Sequence, residues 1–145
     1  MSVFLLDVNV LLPLFWPLHE DHNLIQRWFD HNAGLGWATC PFTQSAFIRI
    51  VSNPRLSPVA PSPLEAEEIL NLSLDHPNHY FWPDEITVRD AIAPLRRNIV
   101  SHRQITDAYL LGLTIFREGK LATLDTRISS LLPDDSLRPK FIEQV

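Results

Sequence analysis

Short continuous apolar runs and longer stretches of helical spacing take turns along this chain. Val3-Phe4-Leu5-Leu6, Gly36-Trp37-Ala38-Thr39-Cys40, Tyr80-Phe81-Trp82 and Lys120-Leu121-Ala122-Thr123 are of the first kind, short and bounded by turn residues, as buried strands are. A fifth short strand is expected near Phe141-Ile142. Leu24, Ile25, Trp28 and Phe29 recur at helical spacing behind Glu20 and Asp21, with Asn32-Ala33-Gly34 as the stop, so a helix that packs by one face is predicted there. Further helices are predicted over residues 10–14 with Asn9 as cap, from Thr43 to Val51, from Ser62 to about Asp75, and over 88–99 behind Thr87, where Pro94 interrupts the pattern. The last helix, over 107–117 with Thr106 as cap and Gly119 as stop, is apolar nearly all round and is expected to be central and buried.

Strands that alternate with helices predict an α/β fold, with a central, mostly parallel sheet of four to five strands flanked by helices on both faces. At 145 residues with 46% hydrophobic content, the chain is expected to form a single domain over 1–145. Pro54, Pro58, Pro61 and Pro63 fall within eleven residues, a density that forbids regular helix and predicts an ordered surface loop.

Charge and cysteine content narrow the classes. A formal charge of -5 argues against a protein that coats nucleic acid by bulk electrostatics, although a local basic groove remains compatible with it. Ten of the twelve basic residues are Arg, the side chain suited to two-pronged phosphate contacts. The single cysteine, Cys40, excludes an internal disulfide and is expected to be a small buried apolar residue. With no apolar run near the roughly 20 residues that cross a bilayer and no signal-peptide pattern, a cytoplasmic location is expected. The histidine pairs His19/His22 and His76/His79 lack a third nitrogen or sulfur ligand and are read as surface or loop residues.

The candidate chemistry lies in three aspartates. Asp7 ends the first apolar run and Asp125 follows the run 120–123, while Asp107 opens the last helix, apolar nearly all round. Right-handed crossovers bring the carboxyl ends of parallel strands to one sheet edge, where open α/β sheets bind ligands. Asp107 alone would do no more than complement its helix dipole; with Asp7 and Asp125 it makes a set of oxygen ligands that suits Mg²⁺ or Mn²⁺ and activation of water against a phosphate. Thr123, two residues before Asp125 and on the same side of an extended segment, can add a hydroxyl.

Four segments in order, Leu5-Leu6-Asp7-Val8-Asn9-Val10-Leu11, Thr43-Gln44-Ser45-Ala46-Phe47-Ile48-Arg49, Thr106-Asp107-Ala108-Tyr109-Leu110-Leu111 and Ala122-Thr123-Leu124-Asp125, resemble the motifs of PIN-domain ribonucleases. From Ser2 to about Leu132 the chain looks most like the VapC-type toxins of bacterial toxin–antitoxin pairs. The resemblance implies a parallel-sheet fold and an endoribonuclease that hydrolyses RNA with Mg²⁺, for which Mn²⁺ can substitute. It implies Asp7, Asp107 and Asp125 as metal ligands with Thr123 beside them, and a cognate antitoxin protein as partner. Gln44 stands where the family usually has an acid, which is expected to weaken cation affinity without abolishing cleavage. Arg49, Arg96, Arg97 and Arg103 are candidates to guide RNA, with solvated surface positions as the plain alternative.

Three other readings compete. A PIN-like domain that binds RNA or a partner without cutting would follow if Gln44 disables the site. A phosphatase of the haloacid-dehalogenase kind would use Asp7 as nucleophile and Asp134-Asp135 as later ligands, but Asn9 replaces its acid/base carboxylate. A phosphorylated receiver module needs a lysine after a late strand, and Lys120 and Lys140 do not fit. Trp16, Trp28, Trp37, Trp82 and eight Phe are many aromatics for so small a chain; some are expected to stay exposed for a homodimer contact and for an antitoxin helix in an apolar groove.

Overall fold

The computed structural model describes residues 2–145. Five strands, β1 (Phe4–Leu6), β2 (Trp37–Thr39), β3 (His79–Phe81), β4 (Lys120–Thr123) and β5 (Ile142–Gln144), form one sheet in the order β3-β2-β1-β4-β5. Every neighbouring pair is parallel, with Phe4 opposite Trp37 on one side and Lys120 on the other. The expected mostly parallel sheet is therefore wholly parallel.

Residue alternation divides the core in two. Phe4, Leu6, Trp37 and Ala122 face one apolar layer, built with α1 (Val8–Phe15), α2 (His22–Asn32), α3 (Pro41–Val51) and α4 (Pro63–Leu74). Leu5, Ala38 and Leu121 face the other, with Leu95, the apolar side of α6 (Ile105–Phe116) and Phe141 of α7 (Arg138–Phe141). Neighbours in sequence point to opposite sheet faces, so three-residue strands can be buried throughout. Helices cover both faces, as expected.

Several boundaries shift for local reasons. Asp7, not Asn9, caps α1, its Oδ1 accepting the Val8 N–H at 2.7 Å. Helix α3 starts at Pro41 rather than Thr43; Thr43 sits in its first turn and its hydroxyl accepts the Cys40 N–H at 3.1 Å. The helix expected over 88–99 is α-helical only in α5 (Val88–Ile92) and continues as a 3-10 helix over Ala93–Asn98, because Pro94 has no N–H for an α-helical bond. Thr106 does not cap α6: a 3-10 turn over His102–Gln104, capped by Ser101, runs directly into it.

The expectation that some aromatics stay exposed holds for phenylalanines rather than for the tryptophans. Trp37 and Trp82 are buried and Trp16 and Trp28 half-buried, while Tyr80, Phe81 and Phe116 are the aromatics left more than half exposed. His76 lies in the loop before β3, as expected, whereas His79 opens that strand, and both are half-buried. The Trp37 indole N–H donates to His76 Nδ1 at 3.3 Å, and His79 Nε2 lies 2.8 Å from the buried Thr39 hydroxyl. Burial, then the neighbouring His76, lowers the His79 pKa, so its ring stays neutral inside this framework. Cys40 is fully buried, and burial raises its thiol pKa. Among the described residues no helix is long and apolar enough to cross a membrane.

Candidate active site

The strand order places the site. The chain moves from β1 outward to β2 and β3, then returns to β4 on the other side of β1, so the segments leaving β1 and β4 diverge at their carboxyl ends. That divergence is the switch point at which open parallel sheets leave a crevice. Asp7 leaves β1 there and Thr123 ends β4, and the two strands stay joined by the Asp7 N–H, which donates to the Ala122 carbonyl at 3.0 Å.

Thr123 is the hub. Its hydroxyl donates to Asp7 Oδ2 at 2.8 Å and accepts the Asp125 N–H at 3.0 Å. Asn9 adds a second tie, its Oδ1 accepting the Leu124 N–H at 3.0 Å and its amide donating to Thr123 Oγ1 at 3.3 Å. Asn9 had the sequence signal of a helix cap; here it locks the segment after β4 to the start of α1. These bonds fix the Asp7 rotamer, since each of its oxygens has one neutral donor, Val8 N–H or Thr123 hydroxyl.

A cavity of about 560 Å³ opens above these residues. Asp7, Asp107 and Asp125 all line it, so the three carboxylates expected to converge share one crevice. Glu20 and Asp21, which in the sequence marked only a helix start, add two more acids, against Arg49 as the one arginine in the wall. Asp7 is 6% exposed and has no ion pair among the described residues. Burial raises its pKa from 3.8 to about 6, with repulsion from Asp107 and Asp125 adding to the effect and the Thr123 hydroxyl opposing it. Burial, then Asp125, also raises Asp107.

Asp125 behaves differently. Its Oδ1 accepts the Arg127 backbone N–H at 2.8 Å and Nε at 3.1 Å, and its Oδ2 accepts Nη2 at 3.1 Å. The guanidinium therefore holds this carboxyl below its ordinary range. Among the described residues, no three His, Cys, Asp or Glu side chains already converge on one point. The donor set nonetheless fits a hard divalent cation: it is all oxygen, and it surrounds a buried carboxylate that lacks a positive partner.

The other sequence candidates are spread more widely. Gln44 does not line this cavity; its amide donates to the Thr39 hydroxyl at 2.9 Å. It lies roughly 200° around α3 from Phe42 and again from Ala46, both of which face the crevice. Arg103 lines a neighbouring cavity, while Arg96 and Arg97 are exposed on the 3-10 helix 93–98 and line neither. Asp134 and Asp135 lie outside the acidic crevice, and among the described residues no lysine lines it, which removes the support for the phosphatase and receiver readings. Arg127 carried no sequence signal beyond standing two residues after Asp125.

No family model matches the chain. Curated proteins of Mycobacterium tuberculosis do, three of them as follows. Ribonuclease VapC38 is 40% identical over 136 residues, 94% of this chain and 92% of that protein. Ribonuclease VapC39 is 38% identical over 86% of this chain and 90% of its own length, and Ribonuclease VapC44 is 37% identical over 86% and 87%. Among solved structures, a chain of VapBC2 from Rickettsia felis, bound to a DNA fragment from their promoter, superposes with a TM-score of 0.66 at 11% identity over 98% of both chains. That likeness is one of fold. Identity of this level along nearly the whole length of several relatives shows that the chain belongs to the VapC ribonuclease family.

Proposed function

We propose that this protein is the toxin of a toxin–antitoxin pair, an endoribonuclease that depends on Mg²⁺ or Mn²⁺ and acts on RNA in the cytoplasm. Its active site is Asp7, Asp107 and Asp125 with Thr123 and Asn9, and a cognate antitoxin is its protein partner, as the VapBC2 assembly pairs its own components. The observation that carries this reading is Asp7: a buried carboxylate at the switch point, repelled by two others and with no ion pair among the described residues.

Asp7, Asp107 and Asp125 would hold a divalent cation, which when bound would supply the charge that activates water against a phosphodiester at neutral pH. The chain's own residues prepare the site. Thr123 and the Val8 N–H orient Asp7, each using one of its oxygens, in the wall of the crevice. Asn9 keeps the two strand ends together, and α6 presents Asp107 from its first turn. Holding charged ligands in fixed positions before substrate arrives is the protein's share of the catalysis.

The test is cleavage of a mixed cellular RNA pool by the purified protein in Mg²⁺, Mn²⁺ or chelator, alongside Asp7→Asn. Discrete products that need the cation and vanish in the variant are expected. A domain that binds RNA without cutting it has one observation on its side, the engagement of both Asp125 oxygens by Arg127; absence of cleavage with either ion would make that reading the better one.

A further inference from the structure

A second cavity, of about 500 Å³, adjoins the acidic crevice and shares Asp107 and Asp125 with it. Its character is opposite. Arg103 and Arg127 line it together with Ser101, Gln104 and Ser130. The Gln104 Oε1 is taken by the Val100 and Ser101 N–H groups at 2.8 and 2.9 Å, which leaves its amide N–H groups as further donors on this wall. Asp125 stands on the boundary between a pocket of carboxylates and a pocket of donors.

Arg127 is where the two pockets meet. Its side chain is 88% exposed, and its only ion pair among the described residues is with Asp125. It grips that carboxylate with both prongs, and with the Arg127 backbone N–H it fills both lone pairs of Oδ1 and one of Oδ2, so a cation that takes Asp125 through both oxygens must displace the guanidinium. Exposed ion pairs are weak, and a divalent cation surrounded by several acids competes well against one. A displaced guanidinium keeps its donors and stands beside Arg103.

We propose that Arg127 is a positioning residue: it holds Asp125 while the site lacks a cation and, when Asp125 is drawn onto one, turns into the second cavity to bind a phosphate of the RNA beside Arg103. The inference rests on the ribonuclease reading for the identity of the ligand and on the Asp125 geometry for the exchange. It couples loading of the site to substrate binding, so that the phosphate subsite is completed only in cation-loaded protein.

The test uses the whole protein and two binding measurements. Calorimetric titration with Mn²⁺ alone compares wild type, Arg127→Met and Arg127→Lys. Loss of an exposed competing pair is expected to tighten Mn²⁺ binding about threefold in Arg127→Met. Arg127→Lys, which keeps the charge but loses the two-pronged grip, is expected to bind Mn²⁺ more tightly than wild type; affinity equal to wild type would trace the effect to charge alone and overturn the exchange. Anisotropy of a fluorescent RNA oligonucleotide is then read in Ca²⁺ and in chelator. Wild type is expected to gain RNA affinity on adding Ca²⁺, and Arg127→Met to lose most of that gain. Because Arg127 is a surface residue, both variants are expected to keep the wild-type unfolding midpoint. Unchanged Mn²⁺ affinity in Arg127→Met while wild type cleaves RNA would overturn this role and leave the ribonuclease reading intact. Tighter Mn²⁺ binding in a protein that cleaves no RNA would support the exchange at Asp125 and overturn the nuclease.

Discussion

Asp7 shows a site residue working against the stability of its own fold. The folded protein holds its proton up to about pH 6, whereas the unfolded chain releases it near 3.8. Between those values the folded state binds the extra proton, so cation-free stability falls as pH rises through the window and is lowest above it. At about 1.4 kcal/mol per pH unit, the penalty at neutral pH is about 3 kcal/mol. Asp7→Asn removes the charge and keeps an acceptor for one of its two donors, so it is expected to stabilise the cation-free protein by about 1 to 3 kcal/mol near neutral pH. Urea unfolding in chelator checks this, and the difference between variant and wild type should shrink toward pH 4. A variant less stable than wild type at neutral pH would show that the two hydrogen bonds outweigh the buried charge. The same scale shows the limit of reading a sequence. A carboxylate after an apolar run is conspicuous, but the partner that engages Asp125 is a surface arginine like nine others until the turn at 125–127 folds.

At the scale of elements, α6 was the clearest feature of the sequence and is central to one apolar layer, because a helix apolar nearly all round has no solvent face to satisfy. What the pattern did not reveal is how tightly α5 crosses it. A Cβ at Gly112 would lie 2.0 Å from the Ala91 carbonyl oxygen, a backbone atom that cannot rotate away. Gly112→Ala is expected to destabilise the protein by about 3 kcal/mol or to prevent folding, which chemical denaturation checks. A cost below about 1 kcal/mol, the range of a helix-propensity change, would mean that the two helices separate easily. The glycine is invisible as a contact residue from its own helix, since only the neighbouring backbone explains it. Gln44 teaches the converse. Its position in a resembling motif placed it among the acids, yet the helix begins at Pro41 and turns its amide to Thr39.

For the whole molecule, the apolar surface left uncovered points to association. Phe42, Val88 and Ile105 are each more than a third exposed and line one groove of about 350 Å³ with Ile86 and Tyr109, the kind of surface that marks interfaces. A homodimer is therefore expected, and light scattering should give twice the 16.6 kDa chain mass; monomer at high concentration would overturn it. The sequence by itself determined the element types, the α/β class and the three aspartates, because hydrophobic period, caps and strand-end charges are local properties written in consecutive residues. Only the tertiary structure decided that β4 pairs with the far side of β1, that Thr123 and Asn9 join segments more than a hundred residues apart, that Glu20 and Asp21 enter the crevice, and that Arg127 occupies Asp125. Those are contacts between distant segments or side-chain directions, and they are fixed only when the two apolar layers close on the sheet.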